Sequence, residues 1–288
     1  MTARAARDPA AQTAILVLAL AILSSPAAAA APIEADIAGG HLTLPVPAGY
    51  CTIDRSVEVQ RELGERIARV MSQRDVYLGI AIDCAELAAL EDAPGRGFTT
   101  YLIWIAEGDG SGKAALYPDA GRGDFVAAAA DQGAAVDSDE VSQEATDLWR
   151  QELDNDAIEV EALELGAAGY DGNAYYATGL ARVGGADSDL SLATMALGTL
   201  IHGIHVQAFL YRPFAGERSF DALELEAAAL AAALIAANPD SDPAASGLGD
   251  RGLSMLRGAV IGGLLGALVA GAIWLLGRLR RPPGRHLD

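Results

Sequence analysis

The chain has 288 residues, and its 20 basic and 39 acidic side chains give a formal net charge of −19. Residues 32 to 249 hold 12 Lys or Arg residues against 36 Asp or Glu residues, a net charge of −24. Because nucleic acid and anionic lipid surfaces are bound through basic patches, this acidity argues against both as direct ligands of that region.

The N-terminus has the pattern of an export signal. Arg4 and Arg7 precede an apolar run over residues 14–23, which is followed by the small-residue stretch SSPAAAAAAP. A charged start, a short apolar centre and small residues before a cleavage point are typical of a signal peptide, here residues 1–31. Ten apolar residues are too few to span a bilayer, although a retained N-terminal anchor is the alternative.

Residues 32–238 are predicted to form one extracytoplasmic domain, which begins with a hairpin. Apolar and polar residues alternate over residues 33–46 on both sides of Gly39-Gly40. Ser56 is then the predicted N-cap of a helix. The apolar stripe of that helix is Val59, Leu63, Ile67 and Val70.

Further apolar runs predict strands over 76–82, 98–106, 158–165, 174–183, 192–201 and 204–211. Helices are predicted over 124–132, 138–154 and 219–237. His202-Gly203 is the two-residue turn of the last hairpin, and Asn238-Pro239 ends the last helix. This order predicts an α+β fold, a mostly antiparallel sheet covered by helices, plus one C-terminal transmembrane helix.

The two cysteines are Cys51 and Cys84, and each follows a strand-like segment. Outside the cytoplasm such a pair forms a disulfide, which we expect here. Two free buried thiols or a redox role are the alternatives. No CxxC motif is present, so a thioredoxin-like site is not supported.

Several short motifs carry a resemblance. The run LPVPAGYC, a helix, then AIDCAEL, and finally a hairpin, YRPF and a helix ending in AANP resemble uncharacterised exported proteins of proteobacteria over most of residues 41–239. The element order is also similar to the Mog1/PsbP-like α/β/α sandwich, which serves as a scaffold for protein partners. Neither resemblance brings catalytic residues to this chain.

No catalytic, cofactor-binding or metal-binding residues are predicted. The segment GDGSGKA at 108–114 lacks the glycine spacing and the Ser or Thr of a phosphate loop. A Ser–His–acid triad would need His41, His202 or His205 as its base. We assign His202 to a turn and His205 to an outward-facing strand position, so the two do not converge on a metal.

Residues 258–277 carry no charge and are long enough to form a transmembrane helix of roughly 30 Å. A polar linker at 239–257 precedes this segment, and a tail at 278–288 with four arginines follows it. By the positive-inside rule the tail is cytoplasmic. The large domain then lies in the periplasm of a bacterium, held at the inner membrane.

Small residues repeat at every fourth position of the membrane segment. They form two adjacent rows: Gly258, Gly262, Gly266 and Ala270, and Gly263, Ala267 and Gly271. Such rows let two helix backbones approach closely in lipid, so we expect self-association or a partner helix. Chance in an Ala/Gly-rich chain is the alternative.

These features predict a membrane-anchored, non-catalytic binding or envelope-assembly module with an envelope protein as partner. The alternatives are a membrane-tethered hydrolase whose site is assembled from scattered residues, and a ligand sensor that acts through a partner protein. An enzyme requires a concave pocket with a histidine or close carboxylates, whereas a binding module requires an exposed apolar patch.

Overall fold

The computed structural model describes residues 30–72, 75–92, 97–132, 159–185 and 188–239, and six positions between 139 and 150. Most of the predicted leader, the linker, the membrane segment and the tail lie outside these residues. Within the described ranges, no helix combines the length and apolar character needed to cross a bilayer.

The described residues confirm a mixed α+β fold. The strands are β1 Ile33–Ile37, β2 Gly40–Leu44, β3 Tyr50–Thr52, β4 Val76–Asp83, β5 Tyr101–Ala106, β6 Glu159–Tyr170, β7 Tyr175–Gly185, β8 Ser188–Ile201 and β9 Ile204–Pro213. The helices are α1 Glu58–Met71, α2 Cys84–Asp92, α3 Arg122–Gln132 and α4 Arg218–Ala237. The six described positions between 139 and 150, inside the helix predicted over 138–154, are also helical.

The main sheet has seven strands in the order β3-β4-β5-β9-β8-β7-β6, and every neighbouring pair is antiparallel. The hairpin β1–β2 forms a separate two-stranded sheet. All six residues of β5 are buried, and so are the first eight of β9. The centre of the sheet is therefore covered on both faces, which explains why β5 is apolar without alternation.

Three helices, α1 to α3, cover one face of the sheet, which we call the helical face. There, α1 and α2 contribute Ile67 and Leu87 to a core with Ile103 of β5, and α3 adds Phe125 beside β7 and β8. The opposite face, the hairpin face, is covered by α4 and by β1–β2. The inward stripe of α4 consists of Leu223, Ala227, Leu230, Ala231 and Leu234.

Asn238 fixes the hairpin to the end of α4. Its side-chain amide donates to the carbonyl oxygens of Leu234 (2.7 Å) and Thr43 (2.8 Å), and its Oδ1 accepts the Thr43 N–H at 3.0 Å. The predicted end of this helix at Asn238 is therefore confirmed. One buried side chain satisfies both the helix end and the backbone of β2.

The turns follow the glycine pattern with one correction. His202 (φ 52°) and Gly203 (φ 73°) form the turn between β8 and β9, as predicted. In the first hairpin the turn residues are Ala38 and Gly39 (φ 51° and 81°), one position earlier than the predicted Gly39-Gly40. Two consecutive positive φ values match the right-handed twist of the flanking strands.

The entry into α1 differs from the prediction. The N-cap position is Val57, which makes no side-chain cap hydrogen bond, so Ser56 is not the cap. Asp54 instead accepts the N–H of Ser56 at 2.8 Å, and the Asp54 N–H donates to Gln60 Oε1 at 2.8 Å. The chain thus turns at Asp54 before the helix begins. The three-residue strand β3, just before this turn, was not predicted.

A glycine in β8 makes room for a buried aromatic ring. A Cβ atom at Gly198 would overlap the ring and hydroxyl of Tyr175. The ring has little freedom to move, because Tyr175 is fully buried and its hydroxyl lies 2.9 Å from His205 Nε2. Gly198 therefore lets the Tyr175 ring lie directly against the backbone of the sheet.

We predict that Gly198→Ala lowers the free energy of unfolding of the domain by about 1–3 kcal/mol through overpacking. Urea unfolding of the full chain in detergent, followed by tryptophan fluorescence, measures the change. Gly40→Ala is the matched control, because a Cβ at that strand glycine meets only the Ile37 carbonyl oxygen at 3.6 Å. Equal losses in the two variants would contradict the prediction.

Candidate functional site

An open groove lies beside the outer edge of β4, with a cavity volume of about 260 Å³. We call it the edge groove. Its walls come from the start of β1 (Pro32 to Glu34), from Thr52 at the end of β3 with Ile53 and Arg55 after it, from Tyr77 to Ile80 of β4, and from Gly64 of α1. Four separate segments of the domain therefore meet at this edge of the sheet.

The groove exists because β3 is short. It pairs with β4 at three positions only, and the last pair joins Thr52 to Ala81. The Asp54 turn then directs the chain into α1. Among the described residues, no strand lies beside Tyr77–Ile80 on this side of β4. The N-terminal half of β4 is consequently an open sheet edge, the kind of backbone surface that most proteins cover.

Two glycines bring the walls close together. A Cβ at Gly79 would lie 2.9 Å from Cδ1 of Ile33, so the missing side chain allows β1 to pack against β4. A Cβ at Gly64 would lie 3.4 Å from Cδ1 of Ile53, so α1 and the end of β3 are also in close contact. The aliphatic parts of the groove are fixed by these two contacts.

The groove combines partly buried apolar side chains with polar groups and one exposed cation. Tyr77 and Ile53 are half-buried, whereas Arg55 is exposed. Burial raises the pKa of Tyr77, and the nearby Arg55 charge offsets only part of that rise. The Tyr77 phenol is therefore protonated at neutral pH and able to donate a hydrogen bond. No described carboxylate forms an ion pair with Arg55.

The carboxylate at the groove rim, Glu34, is already engaged. Its Oε2 accepts from the Thr43 hydroxyl at 2.9 Å and lies 2.9 Å from His41 Nε2. The other ring nitrogen of His41 lies 2.8 Å from Asp36 Oδ1. The hydrogen bond to Asp36, followed by the one to Glu34, outweighs desolvation and raises the pKa of His41. When it is protonated, His41 balances part of the negative charge of Glu34 and Asp36 on the exposed face of the hairpin.

A second cluster of polar residues lies inside the domain. His205 of β9 is fully buried; its Nδ1 is 2.9 Å from Glu107 Oε2 and its Nε2 is 2.9 Å from the Tyr175 hydroxyl. The Tyr117 hydroxyl donates to the same Glu107 oxygen at 2.7 Å. Phe125 packs edge-on against the His205 ring. We call Glu107, Tyr117, Tyr175 and His205 the buried network.

The buried network corrects the interpretation of His205 as an outward-facing residue. His205 points to the helical face, together with Gln207, Phe209 and Tyr211, and α3 covers it there. Sequence alternation distinguishes the two sides of a strand but not whether the second side is covered. The carboxylate partner lies 98 residues earlier in the chain, so no local motif could indicate the pairing.

Glu107, His205 and the Tyr175 hydroxyl are arranged like a proton relay, but Tyr175 is buried away from solvent. Burial raises the pKa of Tyr175 well above its usual range. Burial would also raise the pKa of Glu107, but the hydrogen bond and charge of His205 and the Tyr117 hydroxyl outweigh it and lower that pKa. The network therefore stabilises the loop after β5 against β9 rather than presenting a nucleophile.

The predicted disulfide is present. Cys51 and Cys84 are bonded, with their Cα atoms 4.9 Å apart. Cys51 lies at the centre of β3 and Cys84 begins α2, so the bond secures the short strand that forms one wall of the edge groove. Neither the free-thiol alternative nor a redox alternative that needs two reduced thiols matches this bonded state.

The remaining predicted site residues are those of the membrane segment, and all seven lie outside the described residues. His41, His202 and His205 are not brought together. Within the described part of the chain, no cluster of three or more His, Cys, Asp or Glu side chains is arranged to hold a metal ion. Sequence reasoning did not identify the edge groove, because its walls come from distant segments.

Comparisons with known proteins do not assign a family or a function to this chain. No family model and no curated protein matches the chain. Among solved structures, it is similar to the solution structure of cyanobacterial PsbP (CyanoP) from Synechocystis sp. PCC 6803, with 14% identity and a TM-score of 0.33. The match covers 67% of this chain and 83% of that chain. This neighbour is PsbP-like, as the element order suggested, and a likeness of this size assigns neither a family nor a function.

We predict that removing the disulfide with Cys51→Ser and Cys84→Ser lowers the free energy of unfolding by about 3–4 kcal/mol, the chain-entropy value for a loop of this length. Urea unfolding of the oxidised full chain against the double variant measures this difference. Reduced wild-type protein is the control and should unfold like the variant. A loss below about 1 kcal/mol would show that β3 is held mainly by its strand pairing.

We also predict a pH dependence that comes from Glu107. Its folded-state pKa lies below the ordinary value of 4.5, so its charge stabilises the fold above that pH. This contribution is lost as the pH falls through the lowered pKa. The free energy of unfolding of the wild type should therefore drop more steeply between about pH 5 and about pH 3 than that of Glu107→Gln.

The control for this measurement is Glu65→Gln, which changes an exposed carboxylate paired with Arg61 on the surface of α1. Its stability should follow the wild-type pH profile, because exposed ion pairs contribute little. Parallel profiles for wild type and Glu107→Gln would contradict a stabilising role for the buried carboxylate.

Proposed function

We propose that this chain is a membrane-anchored extracytoplasmic binding module that attaches to another component of the cell envelope. The observation that carries the proposal is the edge groove. In the described part of the chain it is open to solvent, is bordered by both apolar side chains and polar groups, and contains an arginine without a described ionic partner. The relay-like constellation that the described residues contain, in contrast, has His205 and Tyr175 fully buried. An accessible binding surface and sealed polar chemistry favour binding over catalysis.

Two further features support an extracytoplasmic position. The Cys51–Cys84 disulfide fits an oxidising compartment. The export signal at 1–31, the uncharged segment at 258–277 and the arginine-rich tail give a consistent orientation, with the domain in the periplasm and the tail in the cytoplasm.

The membrane segment supplies the second contact of the proposed assembly. Its small-residue face, with Gly262 and Gly266 near its centre, allows close approach of a second copy or of a partner helix. The lipid bilayer is then the medium in which the module operates, and the folded domain recognises a protein partner on the outer side. No cofactor is required for this role.

The test is affinity capture of the full chain, tagged at its C-terminus and extracted from the membranes of the producing bacterium. We expect discrete envelope proteins to co-purify with the wild type and to be lost from Gly262→Leu/Gly266→Leu, because leucine prevents close helix approach. The matched control is Ile261→Leu/Leu265→Ile, which changes the opposite, lipid-facing side of the same segment. This control should retain the partners.

Protease protection in the same cells tests the topology. Protease added after permeabilising the outer membrane should remove the domain and leave the tagged tail intact. Recovery of the protein alone, in one oligomeric state for all three variants, would overturn the proposed assembly role. The hydrolase and sensor alternatives would then be the ones to pursue with substrate and ligand screens.

A further inference from the structure

We propose that the edge groove binds an extended peptide segment of a partner protein, which lies beside Tyr77–Ile80 of β4 and presents a carboxylate to Arg55. This inference rests on the proposed binding function and names the chemistry of the partner.

The backbone of β4 at the groove floor is irregular around Leu78. Between Tyr77, which pairs with Ile105, and Gly79, which pairs with Trp104, the register shifts, so Leu78 has no partner residue on β5. On the other side, β3 pairing has already ended at Ala81. Leu78 is nevertheless half-buried. No described strand pairs with β4 on this side at Leu78, so a ligand that carries its own amides and carbonyls can pair with the edge of β4 here.

The groove has apolar side chains on both sides of the β4 edge. A peptide that adds to a sheet edge places alternate side chains on the two sides of the sheet. Here Ile53 and Tyr77 border the helical face, and Ile33 and Leu78 border the hairpin face. Apolar surface is therefore available for side chains on either side of an added strand. A lipid chain would use these walls but would leave the backbone groups of β4 unpaired.

Arg55 gives the groove a local positive charge. The domain is strongly acidic, and the Glu34 carboxylate at the groove rim is occupied by Thr43 and His41. Arg55 is exposed at the groove and has no ion pair with any described residue. A guanidinium pairs best with a planar carboxylate through two parallel hydrogen bonds. The complementary ligand group is therefore an Asp or Glu side chain or a C-terminal carboxylate.

The experiment selects phage-displayed random heptapeptides on the full chain, held in detergent micelles, and repeats the selection on Arg55→Glu. We expect peptides with an acidic residue at one position to be enriched on the wild type. On Arg55→Glu the preference at that position should change to Lys or Arg. Binding of a selected acidic peptide should weaken by at least about tenfold in the variant, as expected for a charge-assisted hydrogen bond.

Two controls locate the effect. Arg69→Glu reverses an exposed arginine of α1 that does not line the groove, so it should leave the selected sequences unchanged. Amide hydrogen exchange with the selected peptide bound should slow in residues 76–80 of β4. It should remain unchanged in β6, which is the strand at the opposite edge of the sheet.

Three results would overturn the inference. The first is selection of no peptide, and the second is enrichment without an acidic preference that Arg55→Glu leaves unchanged. The third is protection of residues 76–80 by phosphatidylglycerol vesicles without any peptide, which would assign the groove to lipid. In each case the binding role is decided separately by the capture of envelope proteins, so failure of the peptide proposal and failure of the binding proposal are distinguishable.

Discussion

Three paired positions between β3 and β4 determine the shape of one whole edge of this domain. If the pairing continued beyond Thr52, the chain would cover Tyr77–Ile80 and the sheet would end in an ordinary edge strand. Instead, Asp54 turns the chain into α1, and the open half of β4 becomes the floor of a groove. Short edge strands normally protect a sheet from unwanted pairing. Here the same shortness leaves a segment of sheet open beside a groove that both apolar and polar groups line.

A strand of three residues has little pairing of its own to hold it, and two constraints outside the ladder keep it in place. The Cys51–Cys84 bond joins the centre of β3 to the first residue of α2. Tyr50, at the start of β3, is buried on the hairpin face beside Arg212 and Glu226. One wall of the groove is therefore covalently fixed, and the opposite wall depends on the close fit of Ile33 against Gly79. A preformed groove loses less conformational entropy on binding than a flexible one.

The sequence was sufficient to predict an element wherever the residues that determine that element are neighbours in the chain. Strand β4, the hairpin at His202-Gly203 and the end of α4 at Asn238 follow from apolar runs and turn residues. It was insufficient wherever the environment of a residue depends on segments that are distant in the chain. His205 alternates with apolar residues like a surface histidine, and only α3 and Glu107, from elsewhere in the chain, make it a buried one. Strand β3 could not be predicted because three residues give no periodicity, and Ser56 fits a cap pattern although the turn at this point is formed by Asp54.

The distribution of polar groups separates stability from recognition in this domain. Burying a histidine with a carboxylate is costly unless each polar atom has a partner, and here the Tyr175 and Tyr117 hydroxyls complete the set. Those bonds link β7, β9 and the loop after β5, so the network favours one strand arrangement over its alternatives. An arginine without a described ionic partner has no comparable structural task, because Arg55 is exposed and its removal would leave no buried charge behind. At the groove, the exposed Arg55 guanidinium remains accessible to a carboxylate from outside the chain, which is the contact that the proposed peptide would supply.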